Sequence, residues 1–138
     1  MWRRGDYEIS TDPARLDLDL VHRYLSEEAY WSPGVRRQIV ERSIEHSLPF
    51  GMYSDAEQVG FARVVTDYAT FGWLADLFVL EPHRGSGLGK WLVETVISHP
   101  DLRELRRWIL ATRDAHDLYT PFGFRQTAGD PRFMIIEP

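Results

Sequence analysis

The stretch EPHRGSGLGKW, Glu81 to Trp91, decides how the rest of the chain is interpreted. It places glycines at positions 85, 87 and 89, behind an arginine and directly before an apolar helical pattern. Because glycine loses more backbone entropy on folding than any other residue, this alternation indicates a tight turn or the close approach of a ligand. Free N–H groups at a helix N-terminus bind phosphate groups. The stretch therefore predicts either a phosphate-binding turn or a tight turn without a ligand.

Upstream of this stretch, the pattern predicts two helices followed by three strands. A short strand is expected at Tyr7–Ser10, and several aspartates before Leu20 provide N-caps for a first helix. Ser32-Pro33 is typical of the start of a second helix, which Pro49 prevents from continuing. From Phe50 the period changes to that of strands, which predicts an antiparallel meander.

Downstream, the pattern predicts a helix, a strand, a short helix and a hairpin. The first helix starts at Leu88 and stops before Pro100, and a buried strand follows over residues 106–112. Asp114 is expected to cap the short helix, and Gly129 marks the turn of the closing hairpin. The whole order predicts one mixed α/β (α+β) domain over residues 1–138, with a mostly antiparallel sheet of about six or seven strands and about four helices.

The composition excludes several classes of protein. With 138 residues, 43% hydrophobic and 27% charged, the chain is typical of one globular domain. It has no apolar run near the roughly 20 residues that span a bilayer and no signal-peptide core, so a cytoplasmic protein without a membrane partner is expected. The absence of cysteine excludes disulfides and thiolate metal sites, and no metal is expected. The formal net charge of −5 argues against a nucleic-acid partner.

Two familiar phosphate-binding motifs do not match the glycine stretch. A Walker A loop requires a glycine where Arg84 stands and a serine or threonine where Trp91 stands. A dinucleotide fingerprint requires G-x-G-x-x-G after a βαβ unit, whereas this run is G-x-G-x-G after a meander. Both sites are therefore excluded.

Two segments instead carry the motifs of one family. The run Arg84–Gly89 reads R-x-x-G-x-G, and the later segment DAHDLYTPFGF, residues 114–124, contains A-x-x-L-Y-x-x-x-G-F. Together, in this order and with a strand between them, they resemble the GCN5-related N-acetyltransferase (GNAT) family. The resemblance implies that fold, acetyl-coenzyme A as co-substrate, and transfer of its acetyl group to a primary amine, with a small molecule as the expected acceptor.

The resemblance also implies where the co-substrate lies. Backbone groups of the strand at Leu77, Phe78 and Val79 would pair with the pantetheine arm. Asparagine often stands three residues before the motif alanine in the family, whereas this chain has Thr112, whose hydroxyl can make some of the same hydrogen bonds. Pyrophosphate would be held by the turn, that is by Arg84, Gly85, Ser86, Gly87, Leu88, Gly89 and Lys90.

For the chemistry, the resemblance places Tyr119 at the thioester sulfur as the general acid. Asp76 interrupts an apolar strand, and such a carboxylate either is paired structurally or lines a site as a general base. Asp67 and His116 are alternative bases, and a chain of water molecules could also remove the amine proton. Acidic residues expected near the cleft, Asp67, Asp76 and Asp117, favour a cationic amine.

Two other interpretations are compatible with the sequence. The chain could be a non-catalytic acyl-coenzyme A sensor of the same fold, or an interaction module whose glycine turn is empty. The sequence is compatible with a homodimer and does not determine the state of assembly.

Overall fold

The centre of the fold is one eight-stranded sheet, in a computed structural model that describes all 138 residues. All neighbouring strands are antiparallel except one parallel pair, the fifth and sixth. In chain order the strands are β1 (Trp2–Arg4), β2 (Tyr7–Ser10), β3 (Leu48–Ser54), β4 (Glu57–Thr66), β5 (Phe71–Val79), β6 (Arg107–Ala111), β7 (Arg125–Gln126) and β8 (Phe133–Ile136). Across the sheet they lie in the order β1-β2-β3-β4-β5-β6-β8-β7.

Four α-helices pack on the sheet. The helices and the sheet together confirm the mixed α/β class, and the strand directions confirm the mostly antiparallel sheet. They are α1 (Leu18–Arg23), α2 (Arg37–Glu45), α3 (Leu88–Ile97) and α4 (His116–Tyr119), and α1 continues directly into a π-helical turn, Tyr24–Glu28. The sheet has more strands than expected, because β1 pairs with β2 through a turn at Gly5. A three-residue strand with two arginines has no apolar alternation, so its sequence carries no strand signal.

The start of α2 differs from the prediction at Ser32-Pro33. The helix begins at Arg37, and the Ser32 hydroxyl donates instead to the Leu25 carbonyl at 2.6 Å. Pro49 does not end the helix either, since it lies inside β3. Pro49 pairs with Arg63 of β4, but β2 pairs with β3 only from Gly51 onwards, so no strand on the β2 side requires a donor at that position.

The two faces of the sheet carry separate cores. Helices α3 and α4 bury one face, with Leu92, Leu74 and Trp108 among its buried side chains. Helices α1 and α2 cover the other face only around Phe61 and Phe78. On the rest of that second face, towards the β4–β5 turn, Val65 is 40% exposed and Trp73 is partly exposed.

A cleft opens between β5 and β6. Their parallel pairing is limited to residues Phe71–Trp73 of β5. Beyond this point β5 contains one extra residue relative to β4, because Phe61 pairs with Phe78 whereas Arg63 pairs with Ala75. Asp76 lies in this bulge with φ of 56°. The two strands separate here, and the edge of β5 from residue 74 to residue 79 has no strand beside it.

Candidate active site

The glycine turn, residues 84–90, presents a row of free backbone N–H groups. Gly85 and Gly87 have φ of 92° and 82°, and Gly87 caps α3, whose first bond is Trp91 N–H to the Gly87 carbonyl. No backbone N–H from Gly85 to Lys90 has a partner within the protein. A Cβ at Gly85 or Gly87 would meet nothing within 4 Å, so the left-handed backbone, not protein crowding, requires glycine there. The turn is open for an anion.

Arg84 does not share this role. Its N–H donates to the Glu81 carbonyl at 3.1 Å, so the expectation that this N–H holds pyrophosphate is corrected. The guanidinium points into the protein, where Nε donates to the Val79 carbonyl at 2.7 Å and Nη2 to the Tyr24 hydroxyl at 3.0 Å. The arginine of the motif therefore ties the end of β5 to the turn after α1.

A cavity of about 620 Å³, the outer cavity, runs from the glycine turn along β5. Leu77 and Val79 of β5 line one side, and Ala115 and Leu118 at α4 line the other. Arg84, Gly85, Gly87, Leu88 and Gly89 line its end, whereas Ser86 and Lys90 do not. The side chain of Phe78 is buried and stacks on Tyr24, so only its backbone can take part in binding.

A second cavity of about 400 Å³, the inner chamber, continues from the outer one. The two share the walls Tyr30, Trp31, Leu77, Asp114, Ala115 and Leu118. Tyr119 lines only the inner chamber. A continuous cleft therefore leads from the free N–H groups of the turn to this tyrosine.

Tyr119 is buried, with 7% of its surface exposed, and its ring packs edge-on against Phe124. Burial raises the pKa of Tyr119 above its ordinary value, and the nearby Tyr30 adds to the shift. The only buried side-chain polar atom without a partner is the Tyr53 hydroxyl. The Tyr119 hydroxyl makes no hydrogen bond to the protein and is therefore reachable from the chamber. It is a protonated donor at neutral pH.

Asp76 lies in the wall of the inner chamber and is also paired. Its Oδ2 accepts from Arg63 Nε at 2.6 Å and its Oδ1 from Trp31 Nε1 at 3.0 Å. Arg63 Nη1 also donates to the Ser47 hydroxyl at 3.1 Å. The Arg63 and Asp76 side chains are 17% and 14% exposed. Asp76 is therefore paired structurally and also lies at the cavity wall, and its role as a general base stays a prediction.

Comparison with known proteins decides the family. The model of the Acetyltransferase (GNAT) family matches residues 18–124. The chain belongs to the GNAT family. A candidate acetyltransferase of Gibberella zeae is 34% identical over 140 residues, covering 86% of this chain and 78% of that protein.

Solved structures support the GNAT fold. A candidate GNAT acetyltransferase from Xanthomonas campestris is 49% identical, with a TM-score of 0.85 over 88% of this chain and 86% of that one. A GNAT acetyltransferase from Elizabethkingia anophelis, solved with acetyl-coenzyme A bound, has a TM-score of 0.70 over 98% of this chain and 100% of that chain, at 15% identity. The fold is therefore similar even where few residues are identical.

The alternative bases lie outside both cavities of this GNAT domain. Asp67 accepts from the N–H groups of its own turn, and the Thr70 hydroxyl holds the pKa of Asp67 well below its ordinary value. His116 Nε2 donates to the Pro131 carbonyl at 2.7 Å. Asp117 lines neither cavity. Of the three acidic residues expected at the cleft, only Asp76 is there.

No helix of the GNAT domain has the length and apolar character that crossing a bilayer requires. No group of three or more histidine, aspartate or glutamate side chains is arranged to hold a metal ion.

Thr112 positions α4. Its hydroxyl oxygen accepts the N–H of Ala115, the N-cap residue of α4, at 3.0 Å, and the helix has no side-chain cap bond of the kind expected of Asp114. One lone pair of this oxygen is used for that bond, and the O–H of Thr112 remains available as a donor into the chamber that Thr112 lines.

Replacing Thr112 by valine should lower the free energy of unfolding by about 1 kcal/mol, because the hydrogen bond from the Ala115 N–H is lost while the volume is kept. Urea unfolding measures the change, and Thr112→Ser, which keeps the hydroxyl, is the matched control. Equal stability of the valine variant and the wild type would show that this hydrogen bond does not stabilise the start of α4.

The sequence did not reveal an aromatic bridge, Tyr30 and Trp31, that crosses the cleft. The Tyr30 hydroxyl accepts the Arg113 N–H at 2.7 Å, on the β6 side, and Trp31 donates to Asp76, on the β5 side. Arg113 also lies over the Tyr30 ring, 3.9 Å from its centroid. In the sequence, the bridge is visible only as two adjacent aromatic residues between two amphipathic helices.

Proposed function

We propose that this GNAT protein transfers the acetyl group of acetyl-coenzyme A to a primary amine of a small molecule, directly and with Tyr119 as the general acid. The observation that carries the proposal is the continuous cleft from the free N–H groups of the glycine turn to the Tyr119 hydroxyl.

The cleft suits the two parts of the co-substrate that need holding. The N–H groups from Gly85 to Lys90 supply donors and the positive end of the α3 dipole for the pyrophosphate. The unpaired edge of β5 at Leu77–Val79 supplies backbone donors and acceptors for the amide groups of pantetheine, as one strand does for another. The same fold holds acetyl-coenzyme A in the Elizabethkingia anophelis protein.

Bound acetyl-coenzyme A supplies an activated acyl group on a thioester. The Tyr119 hydroxyl, protonated and without a protein partner, donates a proton to the leaving thiolate. Asp76 takes a proton from the amine, directly or through water. Trp31 and Arg63 hold its carboxylate in one orientation. The burial of Tyr119 keeps its proton in place across the neutral pH range.

Two measurements test this function. Calorimetric titration with acetyl-coenzyme A should show binding at one site, and coenzyme A release should rise when primary amines are added. Binding without release with any amine would favour the acyl-coenzyme A sensor. Absence of binding would contradict the proposal itself.

Gly87→Ala should weaken the binding of acetyl-coenzyme A at least tenfold. A methyl group there projects into the outer cavity, and a non-glycine residue at φ of 82° strains the row of N–H donors. The matched control is Gly5→Ala, which places alanine at φ of 59°, also without contacts within 4 Å, in the distant β1–β2 turn. Both variants should lose about 1 kcal/mol of stability or more. Calorimetry should find normal affinity only in the Gly5 variant, and equal affinities in both would refute the pyrophosphate site.

A further inference from the structure

The inner chamber contains no buried charge without an ion pair that could select a charged acceptor. Ten of its fourteen lining residues are hydrophobic. Its charged residues are Arg63, Asp76 and Asp114, and the first two are paired with each other at 2.6 Å. Asp114 is 67% exposed, at 3.8 Å from the Arg113 guanidinium, so water and this arginine screen it. A polyamine would bring several ammonium groups into a chamber that offers no buried, unpaired carboxylate to receive them.

The chamber lies beside the partly exposed area of the second face, since Trp73 belongs to both. Trp73 of β5 lines the chamber. It pairs with Ile109 of β6 on one side and with Val65 of β4 on the other, so the three side chains lie on the same face of the sheet. The Trp73 ring lies 6.4 Å from the ring of Phe133. Trp73, Ile109 and Phe133 are partly buried, and Val65 is exposed. The apolar wall of the chamber therefore continues outwards along the sheet.

We propose that the acceptor is a monoamine whose amino group is carried on an aromatic or bulky apolar group, bound against Trp31 and Trp73. This inference rests on the proposed function. The amino group reaches inwards to Tyr119 and Asp76. The apolar body lies on the two tryptophans and on the apolar strip beyond them, which consists of Val65, Ile109 and Phe133. Apolar contact supplies the affinity, and the faces of the tryptophan rings attract the ammonium form in which the amine arrives. The expectation of a cationic acceptor selected by acidic residues is thereby replaced.

The test measures amine binding without turnover. Protein saturated with coenzyme A, and protein alone, are titrated with 2-phenylethylamine, tryptamine and spermidine. The two aromatic amines should bind at least tenfold more tightly than spermidine. Equal or tighter binding of spermidine, or no binding of any of the three, overturns the inference. Because no acetyl transfer is needed, this outcome is separate from the coenzyme A release that tests the function.

Trp73→Ala should weaken binding of both aromatic amines at least tenfold and leave the affinities for spermidine and coenzyme A unchanged. Trp73→Phe should restore most of the loss. The control is Tyr68→Ala, which removes an aromatic side chain, 51% exposed, that lines neither cavity. Unchanged amine affinity in Trp73→Ala overturns the inference. If sedimentation then shows a smaller assembly than the wild type, the strip is instead a contact between two copies of the chain.

Discussion

Replacing Tyr119 by phenylalanine is expected to lower kcat roughly 10²–10⁴-fold while the affinity for acetyl-coenzyme A stays nearly the same. The hydroxyl acts only on the thiolate as it leaves, so its loss affects the chemical step and not the binding of the co-substrate. The ring keeps its contact with Phe124. Because the hydroxyl has no hydrogen bond to the protein, stability should change by less than about 1 kcal/mol.

The measurement is steady-state acetylation of an accepted amine between pH 6 and 9, with a check that chemistry limits the rate. A matched control is Tyr24→Phe, which removes another buried hydroxyl, one that accepts from Arg84 at 3.0 Å. That variant should lose stability rather than kcat. Near wild-type turnover of Tyr119→Phe would show that Tyr119 is a packing residue and that the thiolate receives its proton from water or another group.

Asp76→Asn should lower kcat at least about 100-fold with little change in acetyl-coenzyme A affinity, if this carboxylate is the general base. The variant also breaks the ion pair to Arg63, which should lower the free energy of unfolding by about 1–3 kcal/mol. The two effects must be separated, because either alone would reduce activity at high temperature.

Arg63→Gln provides the separation, since it breaks the same ion pair and keeps the carboxylate. Thermal unfolding should show similar losses of stability in the two variants. If Asp76 is the base, the asparagine variant should lose far more kcat, and the acidic limb of its pH–rate profile should disappear or move. Equal kcat and an unchanged profile in both variants would leave Asp76 only the structural role of holding Trp31 and Arg63.

Much of the fold was accessible from the sequence, because local signals and tertiary structure agree there. The alternation from Phe50 onwards matches β3, β4 and β5, and the apolar face of residues 88–96 matches α3. The glycine turn was recognisable because positive φ at Gly85 and Gly87 demands one residue type. Tyr7–Ser10 forms a strand with the expected bounds.

The parts that the sequence could not predict depend on partners distant in the chain. Arg84 belongs to the motif, but the direction of its guanidinium is set by Tyr24, which lies in another element. Likewise, Asp76 is a candidate base by its position in a strand, whereas its pairing with Arg63 follows from the register of two strands. The aromatic bridge has no periodic signal, because it lies in a turn.

The short ladder between β5 and β6 divides the sheet into two halves, β1–β5 and β6–β8, that share only three paired positions. The glycine turn and the free edge of β5 belong to the first half, and α4 with Tyr119 is connected to the second. A molecule lying along the cleft therefore contacts both halves and acts as the missing part of their interface. If acetyl-coenzyme A binds there as proposed, its binding free energy also stabilises the contact between the two halves, and the bound protein should resist unfolding and proteolysis better than the free one.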